Sequence, residues 1–219
     1  TMSEVISKEN LKELISEAIS KSKKRKFKQS VELILVLRDV DIKSPEGRIR
    51  ETIFLPHKPN KDIKICVVAE GDMAIKAKEA GAYKVLTRED LKTLAENRKL
   101  AKKLARKCQW VLIRTDLMGL AGRILGPALG PRGKIPVPVP IHANIAALIE
   151  SYKRAVYVRT KDQPQIMARI GTEDMDVEKL AENALAIIST ISAKLKNPRY
   201  NIAKIVVKTT MGPAVEYKR

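Results

Sequence analysis

The middle of the chain alternates short apolar runs with helical segments, and this alternation strongly constrains the fold. Three apolar runs lie at residues 65–69, 83–86 and 110–113, and each is followed by a segment with helical spacing. Short buried strands alternating with helices are typical of a parallel sheet covered on both faces. Residues 64–154 are therefore predicted to form a small three-layer α/β domain.

Turn and capping residues predict the elements inside this domain. We expect Asp72 to cap the first helix and Thr87 to cap a long second helix that runs to about Lys107. Further helical segments are predicted at 117–125 and 144–152. Between them, residues 126–140 contain five of the 11 prolines. Neither a helix nor a strand ladder tolerates that density, so an ordered, shaped loop or a cover over a hinge is expected.

The two ends of the chain carry a different pattern. Ser7 can cap a first helix, residues 31–40 are apolar and β-rich although a helix also fits, and 48–55 resemble a strand. After the middle segment, 155–160 and 165–170 suggest a strand pair. A helix then begins at Thr172 or Asp176, and a last strand covers 203–210.

Neither end alone has enough strands for a stable sheet. We therefore predict an α/β chain in which a split α+β domain, with an antiparallel-rich sheet and helices, is interrupted by the α/β domain of residues 64–154. The split domain consists of residues 1–61 plus 155–219.

The charge balance indicates the class of partner. The 219 residues include 43 Lys and Arg against 25 Asp and Glu, a net charge of +18. Such an excess opposes compaction unless a polyanion offsets it, which favours nucleic acid. The middle segment is the most basic, with 18 basic and 8 acidic residues at 64–154. Six of these cations lie at residues 98–107. They are interpreted either as a solvated face of a helix or as a contact with phosphate.

The motifs of enzymes and metal sites are missing from the sequence. Only Gly71 follows the first strand of the middle domain, where a dinucleotide fingerprint needs three glycines. Gly133-Lys134 lacks the spacing of a phosphate-binding loop. His57 and His142 have no companion ligands, and we expect no cofactor, no metal and no catalysis. Cys66 and Cys108 are interpreted as reduced, buried core residues, which fits a cytoplasmic protein.

Two segments are candidates for RNA contact. Lys26-Phe27-Lys28 places an aromatic ring inside a basic run, which suits stacking on a base plus phosphate binding, although Phe27 as a core residue also fits. Thr209-Thr210-Met211-Gly212-Pro213 ends a strand with two hydroxyls and a glycine. The chemistry of this segment alone favours an ordinary turn over an RNA contact.

The chain closely resembles the large-subunit ribosomal proteins numbered one, which form the mobile stalk beside the tRNA exit site. The resemblance spans nearly all of the chain and rests on four motifs. They are Lys26-Phe27-Lys28-Gln29-Ser30, Leu55-Pro56-His57, Leu129-Gly130-Pro131-Arg132-Gly133-Lys134-Ile135-Pro136 and Thr209-Thr210-Met211-Gly212-Pro213. The compact length and residues 134–140 are most similar to archaeal members.

The resemblance implies that the split domain binds large-subunit rRNA and that the inserted domain is Rossmann-like without a bound dinucleotide. It further implies assistance in the release of deacylated tRNA and, as in some members, repression of the translation of its own mRNA. The RNA-binding residues carried over by motif are Lys26, Phe27, Gln29, Ser30, Arg159, Lys161, Thr209, Thr210, Met211 and Gly212. Arg132 and Lys134 are candidates for a secondary RNA contact, for example with tRNA.

Three hypotheses follow. The first is a cytoplasmic ribosomal protein, monomeric when free, with no membrane contact. The second is an RNA-modifying or nucleotide-dependent enzyme built on the middle domain. The third is a nonspecific binder of DNA or acidic membranes that depends only on the basic helix, whose binding would be strongly salt-sensitive.

Overall fold

The computed structural model describes residues 5–219. The helices are α1 (Lys8–Ser20), α2 (Gly71–Glu79), α3 (Arg88–Glu96), α4 (Arg98–Lys107), α5 (Met118–Leu129), α6 (Ile145–Tyr152), α7 (Val177–Ser192) and α8 (Pro198–Asn201). The strands are β1 (Ser30–Leu37), β2 (Arg50–Phe54), β3 (Ile65–Val68), β4 (Lys84–Leu86), β5 (Trp110–Arg114), β6 (Pro136–Val139), β7 (Ala155–Arg159), β8 (Gln165–Thr172), β9 (Ile202–Thr209) and β10 (Val215–Glu216).

The chain divides into two compact units. Both units contain helices and a sheet, so the fold is of the mixed α/β class. One, called here the split unit, comprises the chain up to Lys61 together with Arg154–Arg219. The other, the inserted unit, is Asp62–Lys153.

The split unit is built on an antiparallel sheet with strand order β10-β9-β1-β8. Alternate residues of β1, such as Leu33 and Leu35, are buried in a core shared with α1 and α7. Ser7 caps α1 as predicted, and of the two candidates for the start of α7 Asp176 is the cap, whereas Thr172 ends β8. Helices α1 and α7 thus cover one face of the sheet. The residues of β1 that alternate with Leu33 and Leu35 lie on the other face.

The predicted pairing of segments 155–160 and 165–170 is wrong. Strand β7 pairs with β2 in a separate two-stranded ribbon, whereas β8 pairs with β1. The connection of residues 160–164 is short enough for a hairpin, but it passes the chain from one sheet to the other instead. The apolar alternation of both strands is satisfied by partners far away in sequence.

The inserted unit has a fully parallel sheet with strand order β4-β3-β5-β6. Its main buried cluster joins alternate residues of β3 and β5 to α3, α4 and α5. Thr87 caps α3 as expected, with a reciprocal bond from its own backbone to Asp90. Helix α3 ends before Asn97, whose side chain caps α4. The prediction of a single long helix is therefore wrong. Asp72 lies within α2 and does not cap it.

The proline-rich segment is more regular than predicted. Helix α5 continues through Pro127 to Leu129, because burial of its apolar residues offsets the hydrogen bond that proline cannot make. Residues 136–139 then form β6 at the edge of the sheet. Pro136 and Pro138 are two residues apart, so both ring nitrogens face the free edge, where no donor is needed.

Cys66 and Cys108 form a disulfide, contrary to the expectation of two reduced thiols. Their Cα atoms are 5.7 Å apart, and both residues are fully buried as predicted. Cys66 lies on β3, and Cys108 follows α4 just before β5. Because β3 and β5 are adjacent, the pairing of Ile65 with Trp110 brings the two cysteines together.

Candidate nucleic-acid interface

The first and last RNA-contact motifs of the sequence meet at one end of the antiparallel sheet. Val31 of β1 pairs with Thr209 of β9, so the residues just beyond this pair are neighbours. The backbone amide of Thr210 donates to the carbonyl of Ser30 at 3.0 Å, and the amide of Ser30 donates to the Thr210 hydroxyl at 3.2 Å. The fold thereby joins motifs that are 180 residues apart.

The buried side chain of Gln29 ties these two segments together. Its amide group donates to the Ser22 hydroxyl at 2.9 Å and to the Lys23 carbonyl at 3.2 Å. Its carbonyl oxygen accepts from the backbone amide of Met211 at 2.8 Å. Gln29 is 1% exposed, so its buried side chain positions the segment around Met211 from the interior of the protein.

Close packing beneath Gly212 explains why a glycine stands there. The Thr209 hydroxyl donates to the Ser22 hydroxyl at 2.7 Å, and Thr209 is fully buried. A Cβ atom on Gly212 would lie 2.3 Å from the Thr209 hydroxyl oxygen and 3.1 Å from Ser22. Sequence reasoning missed Ser22, because an isolated serine in a basic stretch gives no signal of a buried network.

The predicted contact residues therefore divide into exposed and buried groups. Phe27 is 53% exposed and Met211 is 57% exposed, while Lys26 and Thr210 are also exposed. The interpretation of Phe27 as a core residue is wrong. Gln29, Ser30 and Thr209 are buried, so their side chains support the surface instead of forming it.

Lys28 attaches the segment that carries Phe27 to neighbouring parts of the split unit. Its ammonium group lies 3.0 Å from a carboxylate oxygen of Asp174 and donates to the Asn60 carbonyl at 3.1 Å. A hydrogen bond from the Thr172 hydroxyl, followed by that of Lys28, lowers the pKa of Asp174. The loop that carries Phe27 is thus attached to the turn before α7.

Arg159 and Lys161, which the resemblance implies as RNA-binding residues, line a basic recess in the split unit. The recess has a volume of about 540 Å³ and is lined by Ile42, Lys43, Arg48, Arg50, Arg159, Thr160, Lys161 and Asp162. Arg50 and Arg159 are direct partners across the β2–β7 ribbon. Like charges opposed in this way are destabilising without an anion, which makes the recess suited to phosphate.

Sequence reasoning also missed the open face of the antiparallel sheet. On β8 the exposed residues Gln165, Met167 and Arg169 alternate with buried ones, and Met167 is 56% exposed. Lys208 lies on the same face of β9, opposite Glu32 of β1. The period-two alternation of residues 165–170 was the available signal for this face.

Arg132 and Lys134 make contacts within their own unit. The Arg132 guanidinium donates to the Ala128 carbonyl at 2.7 Å. The Lys134 ammonium donates to the carbonyls of Ala105 and Arg106, at 2.6 and 3.3 Å, and so caps the carboxyl end of α4. Burial, with a smaller effect of the Arg132 charge, lowers the pKa of Lys134. Their predicted role in RNA contact stays a prediction.

Comparison with known proteins identifies the family. The model of the ribosomal protein L1p/L10e family matches residues 18–213. The chain belongs to this family. The family match thus covers the Phe27 and Met211 segments described above.

Similar proteins include three relatives that are each named large ribosomal subunit protein uL1. That of Staphylothermus marinus is 63% identical over 210 residues, covering 96% of this chain and 97% of the relative. That of Aeropyrum pernix is 60% identical, covering 96% and 98%, and that of Hyperthermus butylicus is 56% identical, covering 97% and 98%. The predicted similarity to archaeal members is confirmed.

Membership of a ribosomal protein family agrees with the prediction that the chain is not an enzyme. The alternative of an RNA-modifying or nucleotide-dependent enzyme finds no support in these relatives. Within residues 5–219, no helix has the length and apolar character needed to cross a membrane.

Proposed function

We propose that this chain binds large-subunit rRNA in the ribosome through the surface that carries Phe27, Thr210 and Met211. One observation carries the proposal. Gln29 accepts a hydrogen bond from the backbone amide of Met211, and both Phe27 and Met211 carry large, exposed apolar side chains, with Lys26 next to Phe27 in sequence. An exposed aromatic ring next to cations suits the stacking and phosphate contacts by which looped RNA is held, and the exposed Met211 side chain can add apolar contact.

The basic recess extends the proposed surface. Arg159 and Lys161 would contact RNA phosphates together with the three other cations of the recess, Lys43, Arg48 and Arg50. Phosphate contacts fix the register of an RNA without reading its sequence. Specificity is then assigned to the surface around Phe27 and Met211, and added affinity to the recess.

The finer role follows the family resemblance. The split unit would anchor the protein to rRNA of the mobile stalk near the tRNA exit site, in ribosomes of the cytoplasm. The inserted unit, with a Rossmann-like topology, would contact tRNA and assist the release of deacylated tRNA. Repression of its own mRNA would use the same surface as rRNA, and the free protein would be a monomer.

Footprinting on total large-subunit rRNA tests the proposal, and protection confined to one stalk-like helical junction is the expected result. Met211→Asp introduces repulsion from phosphate and should weaken binding at least about tenfold. The matched control is Ile75→Asp, because Ile75 is also 57% exposed but lies on α2. Diffuse protection, or equal affinity of the two variants, would refute the assignment.

A further inference from the structure

Helix α4 presents an unusual concentration of positive charge. Six of its ten residues are cations and none is acidic; they are Arg98, Lys99, Lys102, Lys103, Arg106 and Lys107, and all are exposed. They form two parallel rows at a spacing of four residues, or about 6 Å along the axis. Ala101 and Ala105, on the opposite side, are buried.

These six side chains make no hydrogen bond or ion pair among residues 5–219. The neighbouring helix α3 holds Glu89, Asp90 and Glu96, but Asp90 is engaged in the cap with Thr87. The charge of α4 is therefore not neutralised within the described chain. A partner would therefore interact with six cations that have no ion pair.

The arrangement is unfavourable for the helix alone. Like charges four residues apart repel each other, and Arg98 and Lys99 lie at the end where the helix dipole disfavours cations. Burial of Ala101 and Ala105, the Asn97 cap and the Lys134 bonds to the last turn hold α4 in place. A row of negative charges along the exposed face would remove this repulsion.

We propose that the exposed face of α4 is a second RNA-binding surface that takes the phosphate backbone of double-stranded RNA by charge and not by sequence. The inference rests on the proposed RNA-binding function, but it adds a surface in the inserted unit that is separate from Phe27 and Met211. Two rows of cations, each about 12 Å long, match a backbone that carries closely spaced negative charges on both strands.

The composition of the face favours RNA over other anionic partners. Leu100, 43% exposed, is the one large apolar side chain exposed on α4, and the face has no aromatic ring or amide to read a base. An interfacial membrane helix needs a free apolar face, whereas the apolar side of α4 packs into the core of its unit. Regularly spaced lysines and arginines without apolar anchors suit phosphate contacts.

The test uses the full chain and an RNA duplex of about 20 base pairs with a sequence unrelated to rRNA, titrated against salt. The triple variant Lys99→Gln, Lys103→Gln and Lys107→Gln removes one row while keeping helix propensity. The control variant, Lys78→Gln, Lys84→Gln and Lys92→Gln, removes the same charge from other exposed positions of the inserted unit. Circular dichroism verifies that both variants fold.

We expect the α4 variant to bind the duplex more weakly at every salt concentration, with the slope of log affinity against log salt reduced by about 3. The control should retain nearly the wild-type slope. Equal slopes for the two variants would overturn the proposal, as would displacement of the duplex from wild type by equal charge concentrations of polyglutamate or anionic vesicles.

A stalk rRNA fragment provides the second arm of the experiment. The α4 variant should keep the specific affinity for this fragment, because that affinity is assigned to the Phe27 and Met211 surface. Loss of duplex binding with retained fragment binding supports the α4 surface. Failure of wild type to bind the fragment, with the duplex result unchanged, would refute only the proposed rRNA function.

Discussion

The side-chain carbonyl of Gln29 accepts a hydrogen bond from the backbone amide of Met211 at 2.8 Å, across 182 positions of sequence. The same side chain donates to Ser22 and Lys23. One buried amide thus fixes three segments that surround the proposed RNA surface. Its polar atoms are satisfied, which makes the arrangement sensitive to loss of any partner.

Replacement of Gln29 by Ala should therefore affect both stability and binding. The Met211 amide loses its partner, and an unsatisfied buried donor costs about 1–3 kcal/mol of unfolding free energy. Urea denaturation measures this cost, and binding to a stalk rRNA fragment should weaken in parallel. Gln163→Ala is the control, because Gln163 is exposed and its side chain makes no bond within residues 5–219. A stable Gln29→Ala protein with wild-type affinity would contradict the role assigned to this network.

Two glycine substitutions should act in opposite directions. Gly212→Ala places a Cβ 2.3 Å from the Thr209 hydroxyl oxygen and should destabilise the protein by about 1–3 kcal/mol while weakening RNA binding. Gly122→Ala in α5 meets nothing within 4 Å and should stabilise it by about 0.5–1 kcal/mol. Thermal melts of both variants check the signs. A Gly212→Ala protein as stable as wild type would show that the space beneath Gly212 is not restrictive.

Reduction of the Cys66–Cys108 disulfide should destabilise the inserted unit. Opening a crosslink between residues 42 positions apart restores chain entropy worth about 4 kcal/mol to the unfolded state. Thermal melts with and without a reductant measure the change, and thiol titration of the denatured protein should find no free thiol before reduction. The Cys66→Ala, Cys108→Ala protein should melt at the same temperature in both conditions. Two titratable thiols in unreduced protein would contradict the disulfide.

Acid should weaken the link between α7 and the loop that contains His57. His57 Nε2 lies 2.7 Å from Glu182, which also accepts from Lys8 at 3.2 Å. The hydrogen bond with His57, followed by that from Lys8, lowers the pKa of Glu182 below its ordinary value of 4.5. A carboxyl group with a lowered folded-state pKa contributes stability above its unfolded pKa and loses it as pH falls through the folded value.

The measurement for this link is the urea midpoint between about pH 6 and about pH 3. Glu182→Gln should lower the midpoint near pH 6 and reduce its fall on acidification. Glu13→Gln serves as the control, since Glu13 is exposed and has no ion pair within residues 5–219. An acid response of Glu182→Gln identical to that of Glu13→Gln would exclude Glu182 as its source.

Local patterns were reliable where one element decides its own conformation. Ser7, Thr87 and Asp176 cap helices because each side chain accepts a hydrogen bond from an amide only two or three residues ahead. The buried stripe of α7, including Leu180 and Ile187, follows directly from helical spacing. For the proposed surface, the aromatic ring of Phe27 in a basic run was a signal of its own, whereas the Met211 segment gained its RNA role from motif resemblance. Outside that surface, the open face with Met167 was missed.

Such local patterns did not predict which distant segments pair with each other. The apolar alternation at 155–160 and 165–170 predicted strands correctly, but each strand pairs with a partner more than 100 residues away. The disulfide, the Ser22–Gln29–Thr209 network and the edge position of Pro136 and Pro138 also depend on neighbours supplied by distant segments. The amino-acid sequence alone contained the element types, the charge and the family motifs, because these depend on adjacent residues. The partners of each buried group emerged only in three dimensions, where packing brings distant residues within bonding distance.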